Sequence, residues 1–413
     1  MEREFKDSGI EWIGKIPKEW KTCQLKRLLT FQNGQDYKHV ESDHGYPVYG
    51  SGGVFMHASQ YLYDGEAVLF GRKGTIDKPL YVNEKFWTVD TMYYAIPNKT
   101  GYGKFLYYLG TLLPFNKYQT STALPSMTQS ILGDMNVVNP PISEQQRIAD
   151  YLDKKCGEID ELIALQEQMI AQLTNYKQSV ITEAVTKGLN PDAELVPSGI
   201  DWIGDVPKGW KVVRLSLLTS KIGSGSTPNG GANVYVSEGV KFLRSQNVFF
   251  EGLDLKDVAH ITDEIDEEMK GTRVQVGDVL INITGGSIGR CYFVDETLGR
   301  ANVNQHVSII RPKNIFTRFL KYYLQSFLGQ HQVSILQTGG NREGLSAAAL
   351  SNFKILLPTK DEQHTIATYL DTKCSEIDSL IAIKQQKIET LKDYKKSVIY
   401  EAVTGKMSIG ETP

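Results

Sequence analysis

The residues of this chain best suited to binding chemistry are arginine, lysine, asparagine and glutamine in glycine-bearing stretches. These types set two hydrogen-bonding groups side by side, the arrangement that pairs with a guanine or adenine edge. A first set comprises Asn33, Gln35 and Lys38, then Arg72, Lys73 and Thr75, then Asn116, Lys117 and Gln119. A second comprises Ser226 and Asn229, then Arg244, Gln246 and Asn247, then Ser287 and Arg290, and finally Asn341 and Arg342. Any one of them can equally be an exposed side chain that touches nothing. As a set they point to nucleic-acid contact.

Other stretches suggest chemistry and fail on inspection. Asn139-Pro-Pro-Ile142 resembles the motif with which amino-methyltransferases hold a flipped base, but Ile142 stands where that motif stacks an aromatic ring. No glycine-rich strand–helix loop for a methyl donor precedes it, and the matching stretch of the second half reads Leu357-Pro358-Thr359. A proline turn before a helix is the simpler account. Gly223-Ser-Gly-Ser-Thr-Pro-Asn-Gly-Gly231 has the composition of a phosphate cradle without the Lys-Ser/Thr ending. It reads as a loop able to approach a DNA backbone through amides and hydroxyls, or as a plain surface loop. No GxxxxGK[ST] sequence is present, so nucleotide-driven work is not expected of this chain. The seven histidines lack ligand spacing, no CxxC pair suggests zinc, and Asp263–Glu268 reads as a solvated helical face. No catalytic residue, metal or cofactor is expected.

Elements that could position such loops are written twice. Residues 144–186 and 362–404 match at 27 of 43 positions at an offset of 218. Upstream, Ser8-Gly-Ile-Glu-Trp-Ile-Gly…Trp20 recurs as Ser198-Gly-Ile-Asp-Trp-Ile-Gly…Trp210 at an offset of 190. The longer repeats are helical: Ile159, Leu162, Ile163, Ile170, Leu173, Val180 and Ile181 form one stripe, repeated from Ile377 to Ile399. Both follow prolines and contain none, with Ser143 (paired with Gln146) and Asp361 as expected caps. Forty residues make a helix of about 60 Å, longer than an ordinary domain core, so a paired spacer is expected. Between the helices lie short β-type runs: 66–70, 80–82 and 91–96, then 278–283, 291–294 and 306–310. Gly65–Val82 aligns with Gly277–Val294 at an offset of 212, so the second domain gains about 22 residues before this strand pair. The expected class is α+β: two mixed α/β domains separated by two long antiparallel α-helices, a pseudo-two-fold internal repeat. Its boundaries are 1–143 and 189–361 for the domains, 144–188 and 362–406 for the helices, and 407–413 for a flexible tail.

The net charge of −3 conceals a division along the chain. Residues 1–143 carry 15 basic and 14 acidic side chains and 197–360 carry 18 and 15, whereas 144–196 carry 5 and 10. The modest positive excess thus sits in the variable domains, compatible with DNA contact there and protein contact at the helices. Four cysteines without a pairing pattern, no apolar run of membrane length and no leader-type apolar segment suit a cytoplasmic protein with no membrane contact. A protein scaffold acting through the paired helices, without sequence-specific DNA recognition, is the alternative that these features leave open.

Trp20-Lys…Leu25-Lys-Arg-Leu28 and Trp210-Lys-Val-Val-Arg-Leu215, Gly225-Ser-Thr-Pro228, and Gly277-Asp-Val-Leu…Gly286-Ser-Ile-Gly-Arg290 occur in order. With the Pro…Glu-Gln…Ile-Ala…Tyr-Leu-Asp start of each long helix, they resemble HsdS, the specificity subunit of type I restriction–modification enzymes, over essentially the whole chain. The resemblance implies two target-recognition domains, each reading one half of a bipartite site in double-stranded DNA. It implies a non-catalytic chain docking methyltransferase subunits, two of them expected, and through these the restriction subunits. The docking residues expected on the helices are Gln145, Tyr151, Leu152 and Tyr176, with their repeats Gln363, Tyr369, Leu370 and Tyr394.

Overall fold

A computed structural model describes residues 3–118, 125–337 and 344–410. The two apolar stripes form single helices, Ile142–Lys187 and Lys360–Val403. Their starts differ from the expected caps. Ser143 and Asp361 already lie inside the first turn, because the chain turns at Pro141 and Thr359. Thr359 and Glu362 make the capping box: the Glu362 amide donates to Thr359 Oγ1 at 3.3 Å, and the Thr359 amide to Glu362 Oε2 at 2.9 Å. The first helix has no such box, and Glu144 is held instead by Arg3 and the Trp20 indole.

The chain divides into two compact units, Met1–Glu167 with Gln385–Pro413, and Gln168–Lys384. Each unit therefore contains part of both long helices. In the first, Asp160 pairs with Lys395 at 2.7 Å; in the second, Lys177 pairs with Asp378 at 2.7 Å. The same two repeat positions meet each time with the helices exchanged, and residue numbers rise along one helix as they fall along the other. The pair is antiparallel, as a pseudo-two-fold repeat requires.

The first unit carries a seven-stranded sheet in the order Leu29–Asn33, Met92–Pro97, Tyr63–Gly71, Leu80–Thr88, Tyr46–Gly50, Gly53–Ala58, Glu41–Ser42. The second unit repeats its first four positions with Thr219–Ser224, Val307–Pro312, Val279–Asn282 and Cys291–Phe293. A separate three-stranded sheet follows the same pairing as the rest of the first sheet: Val240–Leu243 runs parallel to Ala301–Val303 and antiparallel to Ala259–Ile261, as Tyr46–Gly50 does to Leu80–Thr88 and Gly53–Ala58. Alternation of side chains along a strand gives each sheet two apolar faces. Val68 and Phe70 face a core that includes Trp20, Phe105, Leu152 and Val398, whereas Ala67 and Leu69 face Val48 and Phe86. Val279 and Ile281 face the corresponding core, with Trp210, Phe319, Leu370 and Val180.

This facing corrects the sequence alignment by one residue. An offset of 212 equates Val68 with Leu280, which points to the other face. Pairing with the neighbouring strand, Val68 to Ala95 and Val279 to Ile310, sets the offset of this strand at 211. A one-residue slip exchanges the two faces of a strand, and local sequence does not forbid it when both faces are apolar.

Candidate nucleic-acid interface

Corresponding strands end at corresponding places, and most of the expected contact residues collect there. In the first unit, Gly34 follows strand Leu29–Asn33 so closely on the neighbouring turn that a Cβ would stand 2.0 Å from the Val89 carbonyl oxygen. Gly225 makes the same approach in the second unit, 2.0 Å from the Val303 oxygen. Only glycine lets the chain leave the sheet there. The residues that follow, Gln35 and Lys38 in one unit and Ser226 and Asn229 in the other, are thereby carried past the sheet end.

At this end of the first unit, Asn33 lies opposite Tyr93, and the Gln35 amide donates to the Thr88 oxygen. The Arg72 amide donates to the Thr91 oxygen, its guanidinium reaches the Asp90 oxygen at 3.4 Å, and it lies 6.0 Å from the Tyr93 ring centroid. Lys73 bridges to Ser126, and Gly74 bonds Pro125. Asn33, Gln35, Lys38, Lys73 and Thr75 are exposed. Among the described residues, Lys38, Arg72 and Lys73 have no carboxylate partner. Asn116 and Lys117 lie elsewhere, beside the opening segment, where Lys117 pairs with Glu11 at 2.9 Å. Gln119 lies outside the described residues.

In the second unit, Ser287 lies in the turn after Val279–Asn282, and the Arg290 guanidinium sits 5.2 Å from the Phe249 ring centroid. Arg244 sits 5.8 Å from the Tyr235 ring and bonds the Asp257 oxygen, while Gln246 is exposed. Among the described residues neither arginine has a carboxylate partner. Asn247 is different. It is buried, its Oδ1 accepts from the Arg244 amide and its Nδ2 donates to the Asp254 oxygen, so it builds the turn that carries Arg244 and Gln246. Asn341 and Arg342 lie outside the described residues.

Sequence reasoning missed Thr227, Thr284, Gln305 and His306, which form one hydrogen-bonded chain at this sheet end. In the sequence His306 only opens the β-type run 306–310, and no histidine has ligand spacing. The available signal was the polar run Asn304-Gln-His306 just before an apolar strand. Asp266 also departs from the expected solvated face: it is buried, and Asn302, Arg300 and Arg273 hold its carboxyl below the usual range against the cost of burial.

The helix residues divide by burial. Gln145 and Gln363 are buried in their own units, each accepting from a backbone amide (Tyr102 and Phe316) at 2.8 Å. Leu152 and Leu370 are fully buried core residues. Tyr176, Tyr394 and Tyr369 are exposed, while Tyr151 is half-buried against the first core. Asn139-Pro-Pro-Ile142 forms a strand end and a turn, with Gln145 Nε2 bonding Asn139 and Pro140. No group of three or more His, Cys, Asp or Glu able to hold a metal occurs among the described residues. None of their helices is long and apolar enough to cross a membrane.

Each unit thus carries the same four-strand order, a glycine-launched loop at its end and a brace from parts of both long helices. Residues 17–175 and 207–393 match the type I restriction modification DNA specificity domain, and the chain belongs to that family. It is 27% identical over 361 residues to the type I restriction enzyme MjaVIII specificity subunit of Methanocaldococcus jannaschii, covering 84% of this chain and 78% of that protein. To the EcoBI specificity subunit of Escherichia coli it is 22% identical over 431 residues, covering 98% and 90%. Among solved structures, a chain from a study of complex assembly and conformational transition in a type I R-M system matches with a TM-score of 0.69. Identity there is 17%, over 95% of this chain and 99% of that one, a likeness of fold. The family expected from the repeated motifs is the family found.

Proposed function

We propose that this chain is the DNA-reading, non-catalytic subunit of a type I restriction–modification complex. Residues 1–143 and 189–361 act as target-recognition domains, each reading one half of a bipartite site. Residues 144–188 and 362–406 form the spacer between them, and 407–413 is a tail. The methyltransferase subunits, two in number, dock on the helices through exposed positions such as Tyr176, Tyr369 and Tyr394, and bring the restriction subunits with them. The observation that carries this reading is the convergence of side chains without carboxylate partners at equivalent sheet ends: Lys38, Arg72 and Lys73 in one unit, Arg244 and Arg290 in the other. Cations whose charge no carboxylate neutralises are free to meet phosphates and guanine edges.

Exchange of residues 197–357 for the matching domain of a relative tests the reading. Mapping of methylated bases in the host genome should show one half of the motif altered and the other retained. A motif changed in both halves, or in neither, would overturn it.

A further inference from the structure

Thr227, Gln305, His306 and Thr284 come from three strand ends of the second unit and form a linear hydrogen-bonded chain. Thr227 Oγ1 donates to Gln305 Oε1. Gln305 Nε2 lies 3.0 Å from His306 Nε2, and His306 Nδ1 lies 2.6 Å from Thr284 Oγ1. An amide nitrogen can only donate, so His306 Nε2 accepts, and the ring proton sits on Nδ1, facing Thr284. The buried Asn304 side chain fixes the backbone beneath by accepting from the His306 amide at 3.0 Å. Gln305 is itself exposed.

We propose, on the reading above that this unit contacts DNA, that Gln305 is a base-reading side chain, with His306 and Thr227 as its positioning residues. A free glutamine amide can turn over and present its oxygen and nitrogen in either order. Here both ends are tied, the oxygen by the Thr227 hydroxyl and the nitrogen by the His306 ring, so the plane of the amide is held in place. One N–H and one oxygen lone pair remain uncommitted. Those are the groups that meet N7 and the N6 amine of adenine across the major groove. The ligand class is therefore a purine edge that offers an acceptor beside a donor, and guanine, with two acceptors, is rejected. The first unit lacks the device: pairing of Gly34 with Met92 and Gly225 with Val307 equates Gln305 and His306 with Asp90 and Thr91.

The test replaces the host gene with variants of the full chain and measures methylation on sites mutated one base pair at a time. Gln305→Glu, which keeps the shape and removes the donor, should lower the preference for adenine at one base pair of the second half-site by about 10-fold or more. His306→Leu should weaken the same single preference, and His306→Gln, which can return an acceptor to the Gln305 nitrogen, should restore it. A purely structural role would lower methylation of all sites together and would not show this rescue. The idea is overturned if Gln305→Glu leaves every preference intact while exchange of residues 197–357 still changes the motif. If that exchange also changes nothing, the DNA-reading assignment of the unit fails first.

Discussion

The two units share the order of their first four strands and their brace against the long helices, and differ at the sheet ends and at positions beside the helices. On the shared side, Trp20 Nε1 donates to Glu144 at 2.8 Å and Trp210 Nε1 to Glu362 at 3.2 Å. Tyr108 donates to Asp153 at 2.9 Å and Tyr322 to Asp371 at 2.7 Å. Burial and the adjacent carboxylate both push these phenols up, so each remains a donor. On the divergent side, helix Gly103–Thr111 carries Tyr107 where helix Thr317–Gln325 carries Lys321. The division teaches that the contacts tying each sheet to the helices tolerate little change, whereas the loops at the far sheet end are free to diverge.

The largest effect that can break this comparison concerns the two buried glutamines. Gln145 Nε2 donates to the Thr100 and Pro140 oxygens at 2.9 Å, and Gln363 Nε2 to the Pro358 oxygen at 2.9 Å. Each also satisfies one backbone amide. Alanine at either position strands these groups without water, at a cost of about 3 kcal/mol. Gln145→Ala should lower protection from hydrogen exchange in the first unit, and Gln363→Ala in the second. Protection unchanged in either unit would mean that the anchor is not shared.

The same pair shows how far the sequence was legible. Repeat and period marked the helices, since a 3.6-residue stripe is a local signal. The Glu-Gln start of each repeat is equally visible, but its glutamine, expected to face a partner, is buried within its own unit. An amide side chain serves equally as an outward contact or as an internal tie, and only burial separates the two. Asn247, expected at a base edge, is buried in the same way and ties its own turn. The convergence of Gln35 with Arg72, or of Thr227 with His306, was not legible. Their strands become neighbours through a sheet order that no local pattern encodes.

An intermediate effect should separate the units. Lys321 is 6% exposed, and its Nζ lies 3.5 Å from the Tyr322 ring centroid and 5.3 Å from that of Tyr292. Burial pulls its ammonium down from 10.5 to about 8, a shift that Asp371 partly opposes. Below about pH 8, folded and unfolded chains both hold the proton, and the folded unit bears the full cost of a buried charge. Between about 8 and 10.5 the folded unit has shed it while the unfolded chain has not, so this cost fades as pH rises. Lys321→Met should therefore stabilise the second unit at pH 7 by about 2 kcal/mol, after allowance for the lost ring contacts. The gain should shrink toward pH 10 in thermal scans. Tyr107→Met in the first unit should show no such trend below pH 9, since burial pushes the Tyr107 phenol above its usual range. A gain independent of pH would assign the effect to packing instead.

The smallest effect sharpens the comparison where the units are most alike. Asp160–Lys395 and Asp378–Lys177 are the same ion pair made twice, but their surroundings differ. Lys177 is 17% exposed and Lys395 28%, while Asp378 is 45% exposed and Asp160 57%. Exposed pairs of this kind contribute about 0.2–1 kcal/mol, because water screens the attraction and two long side chains must be ordered. Both pairs should fall within that range, with the less exposed one, Lys177–Asp378, nearer its top. Double-mutant cycles with Asp→Asn and Lys→Met at each site, read by hydrogen exchange of the flanking helix turns, give both coupling energies. Raising the salt concentration should lower the Asp160–Lys395 coupling proportionally more, since its carboxylate is the more open to counterions. Equal couplings with equal salt dependence would show that the two pairs sit in the same dielectric environment, and that the symmetry of the helices extends beyond geometry to energy.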